Sequence, residues 1–130
     1  MTDDQLIVAA QKAREFAYAP YSNFSVGAAL VTTEGRVYSG CNVEAATYSL
    51  TMCAERVAIF KAVSEGPLKI SKIAVVANSE VPVTPCGCCR QLIWEFGHNT
   101  AVIMANLSGA IVKLAIAELF PYPFDSSFLA

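Results

Sequence analysis

Charged side chains are scarce in this sequence: nine Lys or Arg and eleven Asp or Glu make up 15% of its 130 residues, against about 25% in a typical soluble domain. Positive charge is not in excess either. The formal net charge is −2, so the basic surface that grips a nucleic-acid polymer does not show in the bulk charge. Long apolar runs are missing as well. Ile73 to Ala77 and Ala101 to Ala105 are of strand length, well short of the roughly 20 residues that span a bilayer, so no membrane partner is expected. The start, Met1-Thr2-Asp3-Asp4, is acidic where a secretion leader is basic, and the expected compartment is the cytoplasm. With no repeat, linker or low-complexity stretch, a single domain over residues 1–130 is expected. Such a length buries a core without disulfides.

Hydrophobic residues, by contrast, make up 55% of the chain. So much apolar sequence on a short chain leaves too little polar surface to cover a monomer, so burial between subunits is expected. The five cysteines are Cys41, Cys53, Cys86, Cys88 and Cys89. An odd count without an export signal argues against a disulfide framework. Three of them fall within four residues, which suggests metal binding.

The pattern along the chain predicts alternating elements. Thr2 caps a first helix with Gln5 as its reciprocal partner, and Leu6, Ala10, Ala13 and Ala17 follow at helical spacing until Pro20. Phe24–Thr33 and Arg36–Val43 form a hairpin about Glu34-Gly35. Thr51 caps a helix to about Ser64, stopped by Gly66-Pro67. Ile70–Asn78 is a strand. Thr84-Pro85 starts a helix that runs to about Phe96 and stops at Gly97. Thr100–Ala105 is a fourth strand, Ile111 begins a weak fifth, and a short helix covers Lys113–Phe120. The order describes a layered α/β domain with a mixed sheet.

The chemistry concentrates in Cys53-Ala54-Glu55 and Pro85-Cys86-Gly87-Cys88-Cys89, each opening a predicted helix. Cys86 and Cys89 share a helix face. Helix N-termini lower thiol pKa and favour the thiolates that bind metal. Two facing helix starts could hold three thiolates around one zinc ion, leaving a fourth tetrahedral position open as a catalytic zinc needs. Cys88 could compete as a ligand, although the spacing favours Cys86 with Cys89. Glu55 lies two residues from Cys53, about 200° around a long helix. In a first turn both can reach a site off the helix end, so Glu55 reads as a proton shuttle rather than a ligand.

Cys53-Ala54-Glu55-Arg56 and Pro85-Cys86-Gly87-Cys88-Cys89-Arg90-Gln91 resemble the paired signatures of the short, homotetrameric, zinc-dependent cytidine deaminases. Pro20-Tyr21-Ser22-Asn23-Phe24-Ser25-Val26-Gly27-Ala28-Ala29-Leu30 resembles that family's early strand, and Gly40-Cys41-Asn42-Val43-Glu44 its ribose-binding segment. The resemblance covers most of the chain to about Phe96 and is weaker in the tail. It implies a three-layer α/β/α fold with a mixed five-stranded sheet. It also implies hydrolytic deamination of free cytidine and deoxycytidine with release of ammonia, in pyrimidine salvage. On the same basis Cys53, Cys86 and Cys89 match the ligands of one Zn²⁺ per subunit, and Glu55 the catalytic acid/base. Asn42 and Glu44 match ribose contacts, Phe24 a ring beside the nucleoside, and Ala54 the backbone that reads the pyrimidine edge. Neighbouring subunits would complete each pocket. Ala46, Tyr48 and Leu50 match the contributing loop, and Phe124, with Phe128 as rival, matches a stacking aromatic.

Arg56 has a physical reading too: three thiolates on Zn²⁺ sum to −1, and a guanidinium donating to them offsets that charge. Gln91 is expected to act similarly. The chain departs from the family at Ala45, where asparagine is common, and at the extra thiol Cys88. Taken singly, Cys41 reads as a small buried residue, His98 as a helix-end cap or a water-facing residue, Trp94 as packing and Arg90 as structural, bridging subunits. Phe24 alone would read as core, and Asn42 and Glu44 as turn and surface residues. Two other functions compete. A deaminase of blasticidin-type cytosine antibiotics would share the zinc site, and a structural zinc module would take Cys88 or Cys41 as a fourth ligand. Editing of single-stranded nucleic acid would need a basic channel.

Overall fold

The structure, a computed structural model, describes residues 1–129. Thr2 opens α1 (Asp3–Arg14) as the sequence predicts: its hydroxyl accepts from the Gln5 amide at 3.1 Å and the Gln5 side chain accepts from the Thr2 amide at 2.9 Å. Asp3 and Asp4 in the first turn and Lys12 and Arg14 in the last complement the helix dipole. The helix stops at Arg14, earlier than the apolar spacing predicts, because the Glu15 amide turns back onto the carbonyls of Ala13 and Lys12. Ala17 is left outside.

Five strands form one sheet: β1 (Val26–Thr32), β2 (Val37–Cys41), β3 (Ile70–Ala77), β4 (Ala101–Asn106) and β5 (Ile111–Ala115), in the order β2-β1-β3-β4-β5. The pairing of β3 with β4 is parallel and the others are antiparallel, so the sheet is mixed. The predicted hairpin forms about Gly35, whose φ of 87° suits glycine.

Alternation along the strands sorts the core into two layers. Ala29, Val31, Ala74, Val76, Ile103 and Ala105 face α1 and pack on Leu6, Ile7 and Ala10. Leu30, Ile73, Val102 and Met104 face the other way. There they meet Ala58, Ile59 and Ala62 of α2 (Ala54–Val63) and Ile93 of α3 (Gly87–Phe96). Helices therefore cover both faces of the sheet, as the three-layer expectation requires.

Three boundaries differ from the pattern reading. Thr51 does not cap α2: its hydroxyl accepts from the Ala45 amide, Tyr48–Leu50 form a single 3-10 turn, and Cys53 takes the cap position. Thr84-Pro85 likewise precedes α3, whose cap is Cys86; the Pro85 carbonyl is taken by Arg90 Nε at 2.8 Å. The helix predicted over Lys113–Phe120 shrinks to α4 (Ile116–Leu119). The fifth strand expected from Ile111 forms and takes Lys113–Ala115 from that helix: Ile111–Ala115 pair along the otherwise open edge of β4, which satisfies their backbone groups. A last 3-10 turn spans Ser126–Leu129.

The helix starts are placed by the sheet. In register, Val26 pairs with Ala77 and Gly27 with Cys41, so β1 begins where β2 and β3 end. The chain leaves β2 toward α2, and β3 toward α3, from that same end. Gly40 seats α2 there: a Cβ on it would lie 2.7 Å from the Ala58 amide nitrogen and 2.8 Å from the Ala54 carbonyl. Gly40→Ala should therefore push α2 off the sheet and cost about 1–3 kcal/mol in urea unfolding. An unchanged midpoint would contradict this close seating.

Candidate active site

Cys53 and Cys86 hold the cap positions of α2 and α3, both with extended backbone and neither spending its side chain on a capping bond. Cys89 lies one turn into α3 and is buried. The three sulfurs all lie within 4.8 Å of one another, with Cys86 and Cys89 Sγ 3.4 Å apart. A tetrahedral ion with metal–sulfur bonds of about 2.3 Å sets its sulfurs about 3.8 Å apart. The donor set and its spacing thus suit zinc, and three donors leave one position for another ligand. Cys88 is exposed and stands outside this group, since neighbouring residues of a helix diverge by about 100°; Cys41, at the end of β2, is outside it too.

The charges around the sulfurs are arranged unevenly. A hydrogen bond from Cys89, then the Arg56 guanidinium, hold the Cys53 thiol down to about 5 despite its partial burial. Cys89 moves the opposite way, raised by its bond to Cys53, by burial and by the nearby Glu55. Arg56 Nη2 donates to Cys53 Sγ at 3.2 Å. Its Nε is buried and has no partner among the described residues. Glu55, the second residue of α2, is 5% exposed. Burial, and then the charge on Cys53, raise its carboxyl above the usual range.

A cavity of about 280 Å³ opens onto this cluster. Phe24, Asn42, Glu44, Ala54 and Glu55 line it with Cys53 and Cys86, so residues from four distant stretches share one wall. Asn42 is clamped, its Oδ1 accepting from the Val26 amide at 2.9 Å and its Nδ2 donating to the Phe24 carbonyl at 2.7 Å. Glu44 accepts from the Ser22 hydroxyl and from the amides of Tyr21 and Ser22, each at 3.0 Å. The Ser22 hydroxyl first, then these amides, hold its carboxyl below the usual range. Ser22, Thr51, Met52, Val83 and Thr84 also line the cavity, and the sequence had given none of them a place in the site. For Ser22 a local signal existed: its hydroxyl accepts from the Phe24 amide two residues on, a habit of serine in turns.

Other expected site residues lie apart. Ala46, Tyr48, Leu50 and Phe124 are exposed and outside this cavity. Tyr48 meets Tyr21 edge-on at 5.9 Å, and Phe124 stacks on Phe128 at 5.4 Å. Gln91, expected beside the sulfurs, donates instead to the Phe124 carbonyl at 2.6 Å, because that face of α3 meets the tail. Arg90 binds the carbonyls of Pro85 and Leu119 within its own chain. His98 stacks on Trp94, with ring centroids 4.2 Å apart, and does not belong to the metal-capable group.

Residues 1–105 match the family described as the cytidine and deoxycytidylate deaminase zinc-binding region. The cytidine deaminase of Sporosarcina psychrophila is 49% identical over 131 residues, covering 100% of this chain and 96% of that one. That of Halalkalibacterium halodurans is 50% identical over 127 residues, covering 97% and 96%. A crystal structure of cytidine deaminase from Burkholderia pseudomallei superposes with a TM-score of 0.92 at 48% identity, covering 95% of this chain and 100% of that one.

If the guanidinium balances the sulfur charge, Arg56→Ala should weaken zinc retention about 10–100-fold in a chelator competition. Cys88→Ser should leave retention at the parental level. Undiminished affinity in Arg56→Ala, or loss of the metal in Cys88→Ser, would reverse these assignments.

Proposed function

Because the chain belongs to the cytidine and deoxycytidylate deaminase family, we propose that it hydrolyses the exocyclic amine of free cytidine and deoxycytidine, giving the uracil nucleoside and ammonia. The observation that carries this reading is the buried Glu55 beside three clustered sulfurs, in a cavity also walled by Asn42 and Glu44.

Cys53, Cys86 and Cys89 would hold one zinc ion per subunit. Zinc so bound supplies a Lewis acid that makes water nucleophilic near neutral pH. Glu55 takes the proton from the attacking water, returns it to the ring nitrogen, and serves the departing amine, as the glutamate of zinc deaminases does. Its raised carboxyl pKa suits a group that must both accept and give a proton. Arg56 offsets the negative charge of three thiolates on a divalent ion. The α2 start, at Ala54, presents free backbone N–H groups to the pyrimidine edge, and Phe24 flanks the nucleoside.

Asn42 and Glu44 take the sugar. A carboxylate offers about four acceptor sites, and the Tyr21 and Ser22 amides with the Ser22 hydroxyl occupy three, leaving one. Asn42 retains one N–H and one lone pair after its two bonds. Together they complement a hydroxyl, which donates once and accepts.

The chain is read as one domain working in the cytoplasm in pyrimidine salvage, as a homotetramer with shared sites. Exposed apolar side chains support assembly, among them Phe16, Tyr48, Phe124 and Phe128. Ala46, Tyr48 and Phe124 would then complete a neighbour's pocket. A polymer substrate is disfavoured by the net charge of −2.

Zinc-loaded protein should convert cytidine to uridine in an ultraviolet assay. Glu55→Gln should lower the rate at least about 10²-fold while zinc content stays at the parental level. Turnover that survives this substitution would remove the proton shuttle. An inactive parent that retains its zinc would overturn the function.

A further inference from the structure

Ser22 belongs to none of the groups that hold metal or exchange protons, yet its hydroxyl joins two walls of the cavity. It donates to Glu44 Oε2, and its oxygen accepts from the Phe24 amide at 3.1 Å. The intervening Asn23 has a φ of 56°, a left-handed conformation that asparagine tolerates and that folds the Phe24 amide back onto Ser22. The Phe24 carbonyl then accepts from Asn42 Nδ2, and the Val26 amide donates to Asn42 Oδ1. One short loop thus carries a chain of bonds from Glu44 through Ser22 and Phe24 to Asn42, and all four line the cavity.

We infer that Ser22 is a positioning residue for the nucleoside sugar: its hydroxyl locks the Glu44 carboxylate and the Phe24 backbone in one geometry, so that the remaining acceptor of Glu44 meets a sugar hydroxyl. The inference rests on the proposed function, in which Glu44 and Asn42 take the sugar. The Tyr21 and Ser22 amides both bind Oε1, so among the described residues the hydroxyl of Ser22 is what restrains Oε2. Removing it frees that oxygen to rotate and orphans the Phe24 amide, while the three cysteines and Glu55 keep their own contacts. The loss therefore falls on binding common to ground and transition states, which raises KM rather than lowering kcat.

Steady-state kinetics on the zinc-loaded protein test this with Ser22→Ala, Ser22→Thr and two substrates, cytidine and 2′,3′-dideoxycytidine. Ser22 sits in an exposed loop, where replacement spares the core, and zinc content is followed alongside. Ser22→Ala should raise KM for cytidine about tenfold, as for loss of one charge-assisted hydrogen bond, with kcat little changed. Ser22→Thr, which keeps the hydroxyl, should restore the parental KM. With the dideoxy substrate, which offers no 2′ or 3′ hydroxyl, the penalty of Ser22→Ala should fall well below that for cytidine, leaving only what the loosened Phe24 backbone costs. An equal penalty on both substrates, a fall in kcat at constant KM, or failure of threonine to rescue would overturn the inference while leaving the deaminase reading in place. Absence of cytidine turnover by the parent protein would remove the proposed function, and the inference with it.

Discussion

Three sulfurs held within 4.8 Å of one another cannot all carry negative charge unless positive charge stands among them. This constraint organises the molecule. Two helix starts supply partial positive charge, and the Arg56 guanidinium supplies a full one against Cys53. Both helices must therefore begin at the same end of the sheet. The register that sets the start of β1 against the ends of β2 and β3 provides that, and Gly40 lets α2 sit close enough to use it. Glu55 is placed by the same turn of helix that places Cys53. Its burial follows from the packing of α2 on the sheet, and burial is the main cause of its raised pKa.

The features legible in the sequence are those in which cause and effect are neighbours. The capping box of Thr2 and Gln5 needs only four residues, and the hairpin needs one glycine. The spacing of Cys86 and Cys89 already puts their sulfurs on one face of α3. What escaped local reading depends on partners far along the chain. The strand that Ile111 begins was legible, but its run through Lys113–Ala115, where a helix was expected, depends on the free edge of β4. Cys53 and Cys86 displaced Thr51 and Thr84 as caps because the helices start where the sulfurs meet, later than the best capping side chains would have them start.

The substrate side of the cavity divides along the same line. Asn42 and Glu44 drew attention through resemblance, but what clamps them lies some twenty residues earlier, in the stretch from Tyr21 to the start of β1 at Val26. Gln91 looked like a companion of the sulfurs and instead holds the tail through the Phe124 carbonyl, a contact across 33 positions. Ala46, Tyr48 and Phe124 lie outside the cavity of their own chain, where a role in a second copy's pocket would leave them. The scarcity of charge and the exposed aromatics agree with such an assembly.

The central claim is that the cysteine cluster leaves a coordination position open beside Glu55. X-ray absorption at the zinc edge of the loaded protein tests it most directly. Three sulfurs near 2.3 Å and one lighter oxygen or nitrogen neighbour near 2.0 Å, typical distances for such a site, are the expected shell. Four sulfurs would mean that Cys88 or Cys41 closes the site, and would contradict the catalytic account.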